Sequence, residues 1–163
     1  MRRLILLAAV AALFLVVLPV AAAVAAPPED VTFEGPAFFD GPDAGTGAFT
    51  ASGPAVDSGM MCPSGALVDV YVKAAPNMEQ SPRGVNLQIV KEFTCDDGSG
   101  TFLVKLQVRI DYLKWPTFNW VVKDGTGAYE DLKGNGSGFA AFPIFGGFSY
   151  PIGVFDVYEG KLH

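Results

Sequence analysis

Between Thr101 and Leu113 the chain reads Thr-Phe-Leu-Val-Lys-Leu-Gln-Val-Arg-Ile-Asp-Tyr-Leu, with Phe102, Val104, Leu106, Val108, Ile110 and Tyr112 at every even position and Lys105, Gln107, Arg109 and Asp111 among the odd ones. A period of two is the pattern of a strand with one dry and one wet face, whereas a helix would spread the same apolar side chains around its circumference. Extended, this stretch would span roughly 43 Å, more than twice the usual strand of about 17–20 Å. A strand of that length in a small protein coils, and coiling suits a closed or nearly closed barrel.

The neighbouring stretches alternate as well. Ala66, Val68, Val70, Val72 and Ala74 are apolar at even positions, and Val85, Leu87, Ile89 and Phe93 at odd ones. Residues opposite one another in an antiparallel pair share a face. Setting Cys62 opposite Cys95 therefore predicts Val68 opposite Ile89, Val70 opposite Leu87 and Val72 opposite Val85. Asp96–Gly100 carries the Asp-Gly signal of a hairpin loop. Lys114–Thr117 turns the chain again, and Phe118, Trp120 and Val122 are then expected to face Tyr112, Ile110 and Val108. The prediction is an all-β, antiparallel, mostly meander barrel. Its candidate lumen lining is Val68, Val70, Leu87, Ile89, Lys91, Leu106, Val108, Ile110, Tyr112 and Trp120.

Lys91 interrupts the inward series of its strand. It marks either a bulge or a rim position where the amine reaches water, or a lone cation in an apolar lumen open to a carbonyl or carboxylate.

Elsewhere the signals are shorter. Ala26–Asp30 reads as a Pro-containing tether, Val31–Glu34 as a first strand with Val31 and Phe33 inward, and Ala48–Ala51 as a second. Gly35–Gly47 is dense in Gly, Pro and Asp and reads as loop or short edge pieces, and Ser52–Ser64, which contains Cys62, reads as loop. Gly134–Phe142 and Gly147–Leu162 are the last strand candidates. Tyr150–Leu162 carries apolar groups on both parities, so either both faces are covered or a bulge near Gly153 shifts the register.

Met1–Ala26 places Arg2 and Arg3 before an uncharged apolar run that closes on Ala23-Val24-Ala25. This fits a cleaved signal peptide over residues 1–25 better than a permanent anchor, because Pro19 and the Ala-rich end favour cleavage and no basic stop-transfer cluster follows. Cleavage after Ala25 leaves 138 of the 163 residues, one domain, with 9 basic and 17 acidic residues and a net charge of −8. So acidic a body repels phosphate backbones and anionic membrane surfaces, which argues against nucleic acid as a partner. The expected location is secreted or extracytoplasmic. There the two cysteines, Cys62 and Cys95, are expected to form one disulfide rather than remain separate buried thiols.

Candidate chemistry is sparse. The single His is the terminal His163, a poor place for a nucleophile's base. Zinc lacks its usual ligands, and Asp40, Asp43, Asp96 and Asp97 lack the spacing of a calcium loop, so no metal or cofactor is expected. Asp111 and Glu92 fall on outward parities and give no acid/base pair. Asn135-Gly-Ser137 is a sequon within a turn-like stretch.

The stretch Asp124–Gly138 is the most distinctive. Gly125 and Gly127 make a turn, Ala128–Lys133 forms one helical turn with Tyr129 and Leu132 on one side, and Gly134 ends it as a left-handed cap. Tyr129 and Leu132 are then placed to plug a barrel end. The lysine and hydroxyl that close a phosphate-binding loop are missing. Gly125, Thr126, Gly127, Tyr129, Leu132, Gly134 and Gly136 resemble the glycine-spaced motif of the allene oxide cyclase-like and dirigent-like barrels, and Asp156–Leu162 resembles the last strand of small exported bacterial members. The resemblance covers the C-terminal two thirds of the mature chain. It implies an eight-stranded antiparallel barrel with an apolar lumen; some such proteins cyclise apolar substrates or guide radical coupling. No catalytic residue carries over. The expected function is a binding module for a small apolar molecule. The alternatives are a cyclase-like enzyme with Lys91 as a participant, or a structural barrel with a filled core.

Overall fold

Eight stretches pair in chain order and close on themselves: β1 (Glu29–Phe39), β2 (Gly45–Ser52), β3 (Ser64–Ala74), β4 (Val85–Cys95), β5 (Thr101–Ile110), β6 (Thr117–Gly125), β7 (Gly134–Ala141) and β8 (Ile152–Leu162). The computed structural model describes residues 27–39, 45–74, 84–111, 114–141 and 152–163. Every neighbouring pair is antiparallel, including β1 with β8, so the described strands form a closed meander barrel. Closure removes the free sheet edges that an alternating, half-apolar chain would otherwise expose. One helical turn, α1 (Pro54–Asp57), lies between β2 and β3, and a 3-10 turn spans Gly127–Tyr129. No described helix is long and apolar enough to cross a membrane.

The period-two reading of β5 holds: Phe102, Val104, Leu106 and Val108 are buried and Ile110 packs against them. Tyr112 lies outside the described residues. On β6, Phe118, Trp120 and Val122 point inward as expected, but they face Val108, Leu106 and Val104. The expected partners of Trp120 and Val122 lay four residues further along β5. The parity was readable, but the length of the connection, which sets register, was not.

The β3–β4 register departs further. Gly65 faces Cys95, Leu67 faces Phe93 and Asp69 faces Lys91; after a bulge between Asp69 and Tyr71, Val72 faces Ile89 and Ala74 faces Leu87. The predicted pairs of Val68 with Ile89, Val70 with Leu87 and Val72 with Val85 do not form. Val68 and Val70 belong to the outer face, and Val70 is 51% exposed. The extra residue at the bulge makes odd positions inward before it and even positions inward after it. Cys62 does bond to Cys95, with Cα atoms 6.0 Å apart. It does so from the connection preceding Ser64, so it never sets the ladder. The disulfide fits a non-cytoplasmic compartment.

Both described ends of the Gly35–Gly47 stretch are strand. β1 continues through Gly35 and Pro36 to Phe39, and β2 starts at Gly45. A Cβ on Gly35 would lie 2.0 Å from the carbonyl oxygen of Ala48, and one on Gly47 would lie 1.9 Å from that of Pro36. These glycines permit close approach of two coiled strands, a use indistinguishable in sequence from a turn. Glu29 and Asp30, read as tether, pair with Leu162 and Lys161. The left-handed glycine after β6 is Gly127 (φ 61°) rather than Gly134, which opens β7. β8 keeps one register against β1 along its whole length, without a bulge at Gly153; its outward Phe155 is 40% exposed.

The core is aromatic toward the disulfide. Phe33 stacks on Tyr158 at 4.3 Å and Phe93 on Phe102 at 5.0 Å, with Phe49 and Trp120 edge-on at 5.1 and 5.2 Å from Phe93 and Phe33. The glycines of β7 and β8 make room for these rings. A Cβ on Gly138 would meet Phe118 at 2.3 Å, and one on Gly160 would meet Trp120 at 2.5 Å.

Candidate functional site in the barrel lumen

Lys91 sits on β4 between Ile89 and Phe93, on the inward parity, and is 1% exposed. It is neither at a rim nor alone. Asp69, directly opposite on β3, accepts a hydrogen bond from its Nζ at 2.7 Å, and Asp156 on β8 places a carboxylate oxygen 3.4 Å away. The other oxygen of Asp69 accepts from the backbone N–H of Gly45 at 3.2 Å, and the Tyr158 hydroxyl donates to Asp156 at 3.2 Å. The Phe39 ring centroid lies 5.8 Å from the amine, within cation–π range. Among the described residues no buried side-chain polar atom lacks a partner.

The electrostatics are set by burial. Loss of water pushes the Asp156 carboxyl up from its ordinary value, against the opposing pull of the Lys91 ammonium. Burial, and then the negative charge of Asp156 and Asp69, holds the Tyr158 hydroxyl well above its usual range, so it stays a neutral donor. The result is one ammonium facing two carboxyls, one of which accepts a proton readily. Such a group can donate to a carbonyl or carboxylate, and donate to or accept from a hydroxyl, brought against it.

Around this cluster the lumen changes character. Toward the disulfide, Phe33, Phe93 and Phe102 are at most 1% exposed. Toward the opposite end, Phe39, Val72, Leu87 and Ile110 are only partly buried and form an apolar collar. Of the expected lining residues, Leu87, Ile89, Leu106, Val108, Ile110 and Trp120 point inward. The Trp120 indole N–H donates to the carbonyls of Ser137 and Glu159 at 3.2 and 3.3 Å. Tyr129 and Leu132 are buried, with Tyr129 packed 5.5 Å from Phe102 and its hydroxyl 2.7 Å from Ser99 Oγ.

Sequence reading missed Asp69, Asp156 and Tyr158. Asp156 and Tyr158 share the even, inward parity of Val154 and Leu162, which was a legible signal. Asp69 was hidden because the bulge after it made Val68 and Val70 look like the inward set. The missing counter-charge of Lys91 was itself a pointer, since an amine on an inward position requires one. Among the described residues no group of three or more His, Cys, Asp or Glu is placed to hold a metal ion.

Comparison of the chain with family models, with curated proteins and with solved structures returns no match.

Proposed function

We propose that the barrel is an exported binding module for a small, largely apolar molecule. The ligand enters past Phe39, Val72, Leu87 and Ile110 and sets one polar group against Lys91, Asp69 and Asp156. The observation that carries this reading is the ion cluster itself. A buried ion pair contributes less to stability than apolar side chains of the same size would. Its presence in a lumen otherwise filled with rings and aliphatics therefore argues for recognition rather than support. The kinship with allene oxide cyclase-like and dirigent-like barrels belongs to this proposal. Its support is the Gly125–Gly136 motif together with a strand count of eight.

The test is titration with N-phenyl-1-naphthylamine, a neutral apolar dye whose emission rises on leaving water. Saturable uptake that Val108→Trp abolishes, with the circular dichroism unchanged, is expected. No saturable uptake, or uptake indifferent to Val108→Trp, overturns the reading. A second reading, a barrel acting only through its outer surface, is favoured by the ring packing at the disulfide end, and it predicts that negative result.

A further inference from the structure

The outer wall of β4–β7 carries a pattern that the lumen does not explain. Gln88 on β4 stands opposite Gln107 on β5, Gln107 opposite Asn119 on β6, and Asn119 opposite Ser137 on β7. Four uncharged polar side chains thus form one row across four adjacent strands, spaced by the strand separation of about 4.8 Å. At the β3 end the row begins at Lys73, opposite Gln88. In the next row Lys105 faces Val121, and Val121 faces Asn135. These rows border an open groove of about 520 Å³ lined by Lys105, Gln107, Asn119, Val121, Lys123 and Asn135, with Trp120 and Gly136 completing it.

The volume falls within the range of ligand clefts, about 300–1,000 Å³, and polar groups are spread through an otherwise mixed lining. Three carboxamides each offer donors and an acceptor, the pairing that a hydroxyl needs. Two lysines offer point cations for carboxylates or sulfates. No Asp or Glu lines the groove, although the chain as a whole carries −6. Acidic side chains stand beyond it: Glu159 on β8 is opposite Ser137 and ends the row, and Glu92 and Asp124 both stand opposite Leu103. The row spacing is close to the length of one hexose unit.

We infer that this wall binds an extended acidic polysaccharide. The chain would run across β4–β7 with its hydroxyls on Gln107 and Asn119 and its carboxylates on Lys105 and Lys123. A nucleic acid fits less well: duplex DNA carries about one phosphate charge per 1.7 Å, a denser polyanion for the acidic chain to repel than one carboxylate per sugar, and the groove presents no exposed ring for base stacking. An added peptide strand has no free sheet edge to join in a closed barrel.

Affinity electrophoresis of the purified protein in native gels cast with polygalacturonate, neutral dextran, polyglutamate or duplex DNA provides the test. Retardation is expected with polygalacturonate alone. Lys105→Gln with Lys123→Gln weakens it by about tenfold or more, through loss of two charge-assisted hydrogen bonds. Gln107→Ala with Asn119→Ala weakens it at every salt concentration, whereas the lysine contribution fades as salt rises. Thr46→Glu with Thr50→Glu makes the same change in net charge on β2, on the far side of the barrel, and leaves retardation within about twofold. All six positions are on the outer face, and circular dichroism of each variant checks that the barrel is retained, Thr50→Glu included, where the new carboxylate stands opposite Glu34. No retardation by polygalacturonate overturns the proposal. Equal retardation by polyglutamate or DNA reduces it to charge alone and overturns it too, as does a Thr46/Thr50 variant that behaves like the lysine variant.

Discussion

Lys91 shows what one residue can carry in this protein. Its amine is enclosed, and its stability depends on the carboxylates of Asp69 and Asp156. Lys91→Met is expected to destabilise the fold by about 3–5 kcal/mol, because it strands two buried carboxyls without a counter-charge. Adding Asp69→Asn should recover part of that loss. Urea denaturation of both variants measures the coupling. Asp156 adds a pH dependence of defined sign. Its folded value is raised, so the folded state holds the proton more tightly than the unfolded chain. That contribution is fully present below the unfolded value and is lost as pH rises through the folded one. Asp156→Asn is therefore expected to flatten the fall of stability on the alkaline side of the unfolded carboxyl value, seen as a shallower decline of Tm with pH. Asp97 titrates in the opposite sense. Hydrogen bonds from Ser99, its hydroxyl first and then its backbone N–H, hold its carboxyl below the ordinary value, so its contribution disappears as pH falls through the folded value.

At the scale of the element, the inner face of β7 explains the glycine-rich motif. Gly134, Gly136 and Gly138 occupy its inward positions; Leu162 of β8 fills the space beside the first, and Trp120 and Phe118 of β6 fill that beside the other two. A Cβ on Gly136 would meet the carbonyl oxygen of Glu159 at 2.0 Å and Trp120 at 2.8 Å. Gly136→Ala is expected to cost about 1–3 kcal/mol by overpacking. Gly136 is not among the left-handed glycines, so the cost is steric rather than conformational. Gly59 (φ 77°) gives the contrast: nothing lies within 4 Å of its would-be Cβ. Gly59→Ala should cost about 1–2 kcal/mol, from backbone strain alone. Paired thermal melts of the two variants, with Trp120 fluorescence as the packing readout, distinguish the mechanisms: only Gly136→Ala should shift the indole emission.

For the whole molecule, the disulfide ties the connection before β3 to the end of β4 across 33 residues. In the chain-entropy account, a loop of this size adds about 3–4 kcal/mol by restricting the unfolded chain. Cys62→Ala with Cys95→Ala should lower the unfolding free energy by that amount while leaving the barrel register intact. Denaturant midpoints with and without reductant, alongside the double variant, check it. The two ends of the barrel differ: rings and sulfur close one, and a partly buried apolar collar borders the other. Bound ligand should therefore protect β4 and β5 amides near Val85 and Ile110 from hydrogen exchange before those near Cys95.

The chain by itself determined the strand character of its longest segments, the inward parity of β4, β5 and β6, the disulfide partners and the antiparallel meander. The disulfide follows from there being two cysteines, and the rest from local periodicity and short connections, which sequence expresses directly. Tertiary structure alone decided the register, since one bulged residue in β3 and a few residues of connection before β6 move every partner. It also decided that Gly35 and Gly47 are close contacts within strands, because a missing side chain looks the same at a turn and at a tight crossing. The charged cluster belongs to the second group: Lys91, Asp69 and Asp156 come from three separate strands, and only the closing of β8 onto β1 and the bulge in β3 bring their side chains to one point.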